Sequence, residues 1–112
     1  KYIYNYKMII ELSDENTTLD TLINSNKECK VVLYFTATWC GPCKAIYPKV
    51  FEISNNMGDD IVFYKIDVDT FADLSEECGI SCMPTFHFYK GGKKVDELQG
   101  ADANQLSLKC SI

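Results

Sequence analysis

Val31-Val32-Leu33-Tyr34-Phe35 is an unbroken apolar run that stops at Thr36-Ala37-Thr38 and is followed at once by Trp39 and the Cys-x-x-Cys of Cys40-Gly41-Pro42-Cys43. An apolar run bounded by small and polar residues reads as a strand buried on both faces. Ile46, Val50, Ile53 and Met57 then recur at helical spacing and form one apolar stripe. The chain must therefore turn from strand to helix at the cysteines. Cys40 falls where the helix begins, near unpaired backbone N–H groups and the positive end of the helix dipole. That position favours thiolate over thiol and makes Cys40 nucleophilic near neutral pH. Gly41-Pro42 fixes a tight turn across which two cysteines three positions apart can close a small disulfide ring. Cys43, one turn into the helix, is expected to be less exposed and to act second.

The same pair is also half of a structural zinc site, which needs two further ligands. Cys78 and Cys82, with three residues between them, are the only other close pair. A four-cysteine centre therefore stands beside the dithiol reading. Gly41-Pro42 next to a tryptophan, at the end of a buried strand, fits dithiol chemistry better. Cys29, Cys40, Cys43, Cys78, Cys82 and Cys110 are set among core patterns rather than in loop-rich sequence, which fits a reducing compartment.

At 112 residues the chain is expected to form one domain over 1–112, with 1–7 as an N-terminal extension. Eleven lysines and no arginine against sixteen acids leave a net charge of -5. That balance argues against nucleic acid or an anionic membrane as a partner. The longest apolar runs are about five residues, far below the roughly 20 needed to span a bilayer. The chain starts at Lys1 rather than methionine, so an upstream segment is expected and a targeting peptide would not show. The expected location is cytoplasmic.

Lys1–Lys7, with three tyrosines, reads as an extension of a first strand around Met8-Ile9-Ile10 or as an edge. Ser13 or Asp14 is the expected cap of a first helix carrying Leu19, Leu22 and Ile23. Cys29 reads as a packed small residue. The second helix holds Pro48 inside its pattern and closes near Gly58. Ile61–Val68 is a second interior strand, and strand-helix-strand in series calls for a right-handed parallel crossover. Phe71, Leu74 and Cys78 mark a short helix, with Cys78 read as a packed thiol. Thr85–Tyr89 alternates and joins Val95–Leu98 through Gly91-Gly92, a hairpin signal. Gly100 and Asp102 introduce a last helix with Leu106 and Cys110 on one side. His87, the only histidine, reads as a hydrogen-bonded sheet residue, and Asp67 and Asp69 as solvating a strand end rather than chelating a cation. The order β-α-β-α-β-α-β-β-α gives an α/β mixed sheet with helices on both faces.

Trp39-Cys40-Gly41-Pro42-Cys43-Lys44 resembles the active-site motif of thioredoxins, and the strand before it and Pro48 also match. The resemblance extends over nearly all of the chain after about residue 8. It implies the thioredoxin fold, a mixed five-stranded sheet with helices on both faces, and protein-disulfide reductase activity with Cys40 and Cys43 as the catalytic pair. The family is a known case of a lowered cysteine pKa. Met83-Pro84-Thr85-Phe86 resembles the family's loop whose proline is cis and faces the Cys-x-x-Cys across a groove. There the Met83 backbone would pair with an extended substrate segment. Trp39, Gly41, Pro42, Met83 and Pro84 would form the substrate-binding surface. The family binds no cofactor and takes reducing equivalents from NADPH through thioredoxin reductase. Expected partners are that reductase and disulfide-containing proteins such as peroxiredoxins. Cys82 resembles a cysteine of animal-type thioredoxins that supports intermolecular disulfides, against the plain reading of an inert, partly buried thiol. A monomer is expected, with a disulfide-linked dimer through Cys82 as an alternative.

One position departs from the pattern. Thioredoxins usually carry a buried aspartate six residues before the first cysteine, and here that residue is Tyr34. A phenol with a pKa near 10 is a poor proton acceptor at neutral pH. Lys65 matches the family's lysine near that aspartate and is left without its expected partner. Tyr34 and Lys65 are the expected tuning residues: Lys65 either stabilises a thiolate or pairs with the Tyr34 hydroxyl, and product release is slowed at neutral pH. A tyrosine here is also similar to tryparedoxins and nucleoredoxins, which usually have Cys-Pro-Pro-Cys. A thioredoxin-fold binding or scaffold module with a vestigial dithiol is the rival from another functional class.

Overall fold

The computed structural model describes residues 9–24 and 26–112. The apolar run becomes the middle of five strands: β1 (Ile9–Glu11), β2 (Lys30–Thr36), β3 (Ile61–Asp67), β4 (Thr85–Lys90) and β5 (Lys93–Gln99), in the order β1-β3-β2-β4-β5. Around them lie α1 (Leu19–Asn24), α2 (Gly41–Met57), α3 (Ala72–Glu77) and α4 (Ala103–Ser111). β3 runs parallel to β1 and β2, whereas β4 is antiparallel to β2 and β5. The mixed sheet read from the sequence is the one observed. The tyrosine-rich residues 1–7, with Met8 and Ser25, lie outside the described residues.

Alternation along β2 divides the core in two. Val32 and Tyr34 face α2 and α4, packing with Ile46, Val50, Phe63, Phe86 and Leu106. Val31, Leu33 and Phe35 face α1 and α3, packing with Leu22, Ile66, Phe71 and Leu74. Val32, Leu33 and Phe35 are each 0% exposed, so β2 is covered on both sides along its length. Each such side chain contributes about 1.5–3 kcal/mol on burial. Two-sided burial also changes the reading of β4: its alternating sequence suggests one wet face, but Thr85–Tyr89 are all buried.

The cap of α1 differs from expectation. Asp14 forms a local turn instead, accepting the Asn16 N–H at 3.0 Å. Thr18 Oγ1 takes the Thr21 N–H at 3.2 Å and sits just before the helix. Aspartate bonding to its own backbone two residues on mimics a cap in sequence, which explains the difference. The other boundaries hold more closely. Asp102 caps α4 by accepting the Gln105 N–H at 3.0 Å, and Gly58 ends α2 at φ +56°. Gly91 and Gly92, at φ +62° and +82°, make the two-residue turn between β4 and β5. β5 is an outer strand, and it carries Lys93, Lys94 and Glu97, with Lys94 bonded to Glu97 at 2.6 Å.

His87 is less well provided for than its sequence suggests. It is 3% exposed, and its Nδ1 has no hydrogen-bond partner. The ring meets Phe35 edge-on, and its Nε2 faces Glu97 at 3.5 Å. Burial pushes its pKa below the ordinary value, Lys94 adds to this, and Glu97 opposes it. An unfolded chain therefore takes up the proton first. The resulting stability is whole above about pH 6.5 and is lost as the pH falls from there toward the folded-state value. Urea midpoints at about pH 7.5 and about pH 5.5 are expected to differ more for the parent than for His87→Leu; equal differences would remove His87 as the cause.

Candidate active site

β2 ends at Thr36, and the chain reaches α2 through Ala37-Thr38-Trp39. Cys40 is the N-cap, in extended backbone at φ -89° and ψ 108°. Its Sγ accepts the Cys43 N–H at 3.1 Å, meeting one of the donors the helix start leaves unpaired. Pro42 suits the first helical turn, where an N–H would have no partner in the helix. The Cys40 N–H is itself bound to the Ala37 carbonyl at 3.1 Å, and the Lys44 N–H to that of Cys40 at 3.3 Å. The two cysteines are joined by a disulfide with Cα atoms 5.3 Å apart. Cys40 is 4% and Cys43 1% exposed. Ala37, Val68 and Met83 pack against the pair.

Met83 brings the second loop to the dithiol, and the Met83–Pro84 peptide is cis. Thr85 Oγ1 donates to the Cys82 carbonyl at 2.6 Å, and the Gly100 N–H donates to that of Pro84 at 2.8 Å. These bonds fix the loop to the ends of β4 and β5.

Trp39 is 65% exposed, which excludes simple core packing for it. Its Nε1–H donates to Asp69 Oδ2 at 2.9 Å. Asp69 is in turn placed by Asp67, whose Oδ1 accepts the Asp69 N–H at 2.8 Å and the Thr70 N–H at 3.3 Å. The sequence reading gave Asp69 a solvating or chelating role and missed this contact. No local pattern signals a bond between residues 30 positions apart.

Tyr34 is buried beneath α2. Its hydroxyl donates to the Cys43 carbonyl at 2.8 Å, and its ring stacks on Phe86 at 4.9 Å and Tyr47 at 6.5 Å. Burial raises its pKa above that of an ordinary phenol. The expected pairing of Lys65 with this hydroxyl is not the one observed, because the hydroxyl is turned to the helix backbone. Lys65 Nζ lies instead over the Tyr47 ring, 5.0 Å from its centroid. An open cleft of about 470 Å³ runs along this side of Cys43.

The remaining cysteines divide by burial. Cys110 is buried, and desolvation pushes its thiol up to about 12. Cys29 and Cys78 are half-buried, and desolvation raises both above the free-thiol value. Cys82 is exposed rather than partly buried, with Sγ 3.7 Å from Thr85 Oγ1. Cys78 packs against the core on the α1 and α3 side, away from the Cys40–Cys43 cluster. Among the described residues no three His, Cys, Asp or Glu side chains converge as a metal set, so the four-cysteine alternative does not assemble.

A dithiol-disulfide pair at a strand-to-helix junction, on a mixed five-stranded sheet, defines a thiol-disulfide oxidoreductase acting on protein disulfides. The family model described as Thioredoxin matches residues 9–111. The thioredoxin of Ictalurus punctatus is 46% identical over 104 residues, spanning 91% of this chain and 95% of its own. Reduced thioredoxin pre-protein of Schistosoma mansoni shares 38% identity at a TM-score of 0.84, covering 92% of this chain and 95% of that one. A chain solved for the thiol-resolving mechanism of yeast mitochondrial 1-Cys peroxiredoxin via the glutathione/thioredoxin systems shares 33% identity at a TM-score of 0.80, covering 96% and 97%. This chain belongs to the thioredoxin family.

Trp39 is the only tryptophan, so its emission reports on this corner alone. Asp69→Ala is expected to free the indole and to increase its quenching by acrylamide. Unchanged quenching would mean that Asp69 does not hold it.

Proposed function

We propose that this chain is a general protein-disulfide reductase, and the observation that carries the reading is the Cys43 N–H directed at Cys40 Sγ from the start of α2. That donor and the helix dipole stabilise negative charge on the sulfur that strikes first. The Cys40 thiolate attacks one sulfur of a substrate disulfide, forms a mixed disulfide and expels the other sulfur as thiolate. Cys43, once deprotonated, attacks the Cys40 sulfur and releases the second substrate thiolate. Two electrons pass from the dithiol to the substrate, and Cys40–Cys43 is left as a disulfide.

Trp39, Gly41, Pro42, Met83 and Pro84 offer the docking surface; the exposure of Trp39 and the packing of Met83 on the cysteine pair support this. Resetting falls to thioredoxin reductase at the expense of NADPH, without a cofactor on this chain. Peroxiredoxins are among its substrates, in keeping with the chain related to the yeast peroxiredoxin system. The protein works in the cytoplasm as a monomer, and the exposure of Cys82 supports a disulfide-linked dimer under oxidation.

Insulin-disulfide reduction by dithiothreitol is expected to accelerate with the protein present and to fall to background with Cys40→Ser, while Cys43→Ser accumulates the mixed disulfide. With thioredoxin reductase, an NADPH trace coupled to a disulfide substrate reads the full cycle. Absence of both activities would leave the binding-module reading in its place.

Tyr34 and Lys65 set the second step. Tyr34 brings no acceptor to the Cys43 thiol, and Lys65 stabilises the thiolate once formed. Tyr34→Asp is expected to speed product release at neutral pH and to lower the midpoint of its pH profile; unchanged turnover and profile would remove Tyr34 from this role.

A further inference from the structure

The sheet behind Cys43 carries a row of residues in register from β1 through β3 to β2: Glu11 opposite Lys65, and Lys65 opposite Tyr34. Side chains in register on parallel strands point to one face, here the face that α2 covers. Two residues further along, Asp67 pairs with Thr36 in the same orientation. The phenol in this row is bound to a main-chain oxygen of Cys43, so it takes no part in moving the thiol's proton.

Cys43 is only 1% exposed, yet a cleft reaches it. It borders the cleft of about 470 Å³, whose walls carry Glu11 from β1, Lys65 and Asp67 from β3, and Lys44 and Tyr47 from α2. That volume holds several waters at about 30 Å³ each. Among the described residues Lys65 makes no ion pair; its ammonium rests on the Tyr47 ring. Asp67 also lines the cleft, and its Oδ1 accepts two backbone N–H groups, so Oδ2 has no hydrogen bond among the described residues.

We propose that the proton of Cys43 leaves through this cleft, by way of water, to the carboxylates of Asp67 and Glu11. The inference rests on the disulfide-reductase reading and names the base for its second step. With Cys40 held as a mixed disulfide, the Cys43 thiol gives its proton to cleft water and so to a carboxylate. The sulfur's electron pair then forms the bond to Cys40 as the bond from Cys40 to the substrate sulfur breaks. The substrate leaves as a thiolate with the pair of the broken Cys40–substrate bond and is protonated by solvent. Lys65 and Lys44, on the same walls, place positive charge beside the emerging thiolate. The acceptor thus sits along the cleft wall rather than inside the sheet at position 34.

The test separates the two chemical steps in single turnovers of a disulfide-bonded peptide against pH. Glu11→Gln/Asp67→Asn keeps shape at both sites, and the asparagine carbonyl still accepts from residues 69 and 70. General-base assistance typically contributes 10²–10⁴-fold, and solvent takes over part of it. The double variant is therefore expected to release product at least about tenfold more slowly at neutral pH, with the pH midpoint of release moved upward and mixed-disulfide formation by Cys40 unchanged. Release that matches the parent in rate and midpoint overturns the proposal. So does equal slowing of both steps, which would mark a structural effect. A parent that forms the mixed disulfide but never releases product overturns the reductase reading, and the proposal with it.

Discussion

The backbone N–H of Cys43 has no carbonyl to bind inside α2, and the sulfur of Cys40 meets it at 3.1 Å. That contact exists only if the chain leaves β2 and enters α2 at one fixed residue. The fixed residue depends on β2 lying between β3 and β4 with both faces covered, since a slip of one position would turn Tyr34 and Phe35 to opposite cores. Packing therefore sets the chemistry. The apolar run secures the register, the register sets where the helix starts, and the helix start presents its donors to a sulfur.

Around this junction the protein divides its polar work between two sides. On one side Asp67 and Asp69 form a pinned turn that steadies an exposed indole. On the other, the space beneath α2 is filled by an aromatic stack of Tyr34, Tyr47 and Phe86 rather than by an acid. The stack gives packing and a bond to the helix backbone but no proton acceptor. Charged groups stand instead along the wall of the open cleft, where charge costs less than in the core.

Much of this was legible in the sequence. β2 and the start of α2 could be read because a long apolar run and a change of period mark the boundary without outside help. The diglycine turn and the Asp102 cap could be read because each is a local device with its own chemistry. The start of α1 was misplaced because Asp14 bonds to nearby backbone as a cap would. His87 reads as satisfied in sequence, yet its Nδ1 has no partner, because alternation says nothing about which neighbours arrive on a fully covered strand. Lys65 beside Tyr34 was reached only through the family resemblance, whereas the Trp39–Asp69 bond and the place of Glu11 beside Lys65 depend on how distant segments meet, and no single segment contains that information.

β5 closes one side of the sheet with a lysine-rich, mostly exposed strand. A free strand border invites another chain to pair with it, and a protein-disulfide oxidoreductase handles other protein chains. Lys93, Lys94, Asp96 and Glu97 surround the unpaired backbone groups there with charge and hydration. Other chains are thus discouraged from adding to the sheet at an edge far from the sulfur.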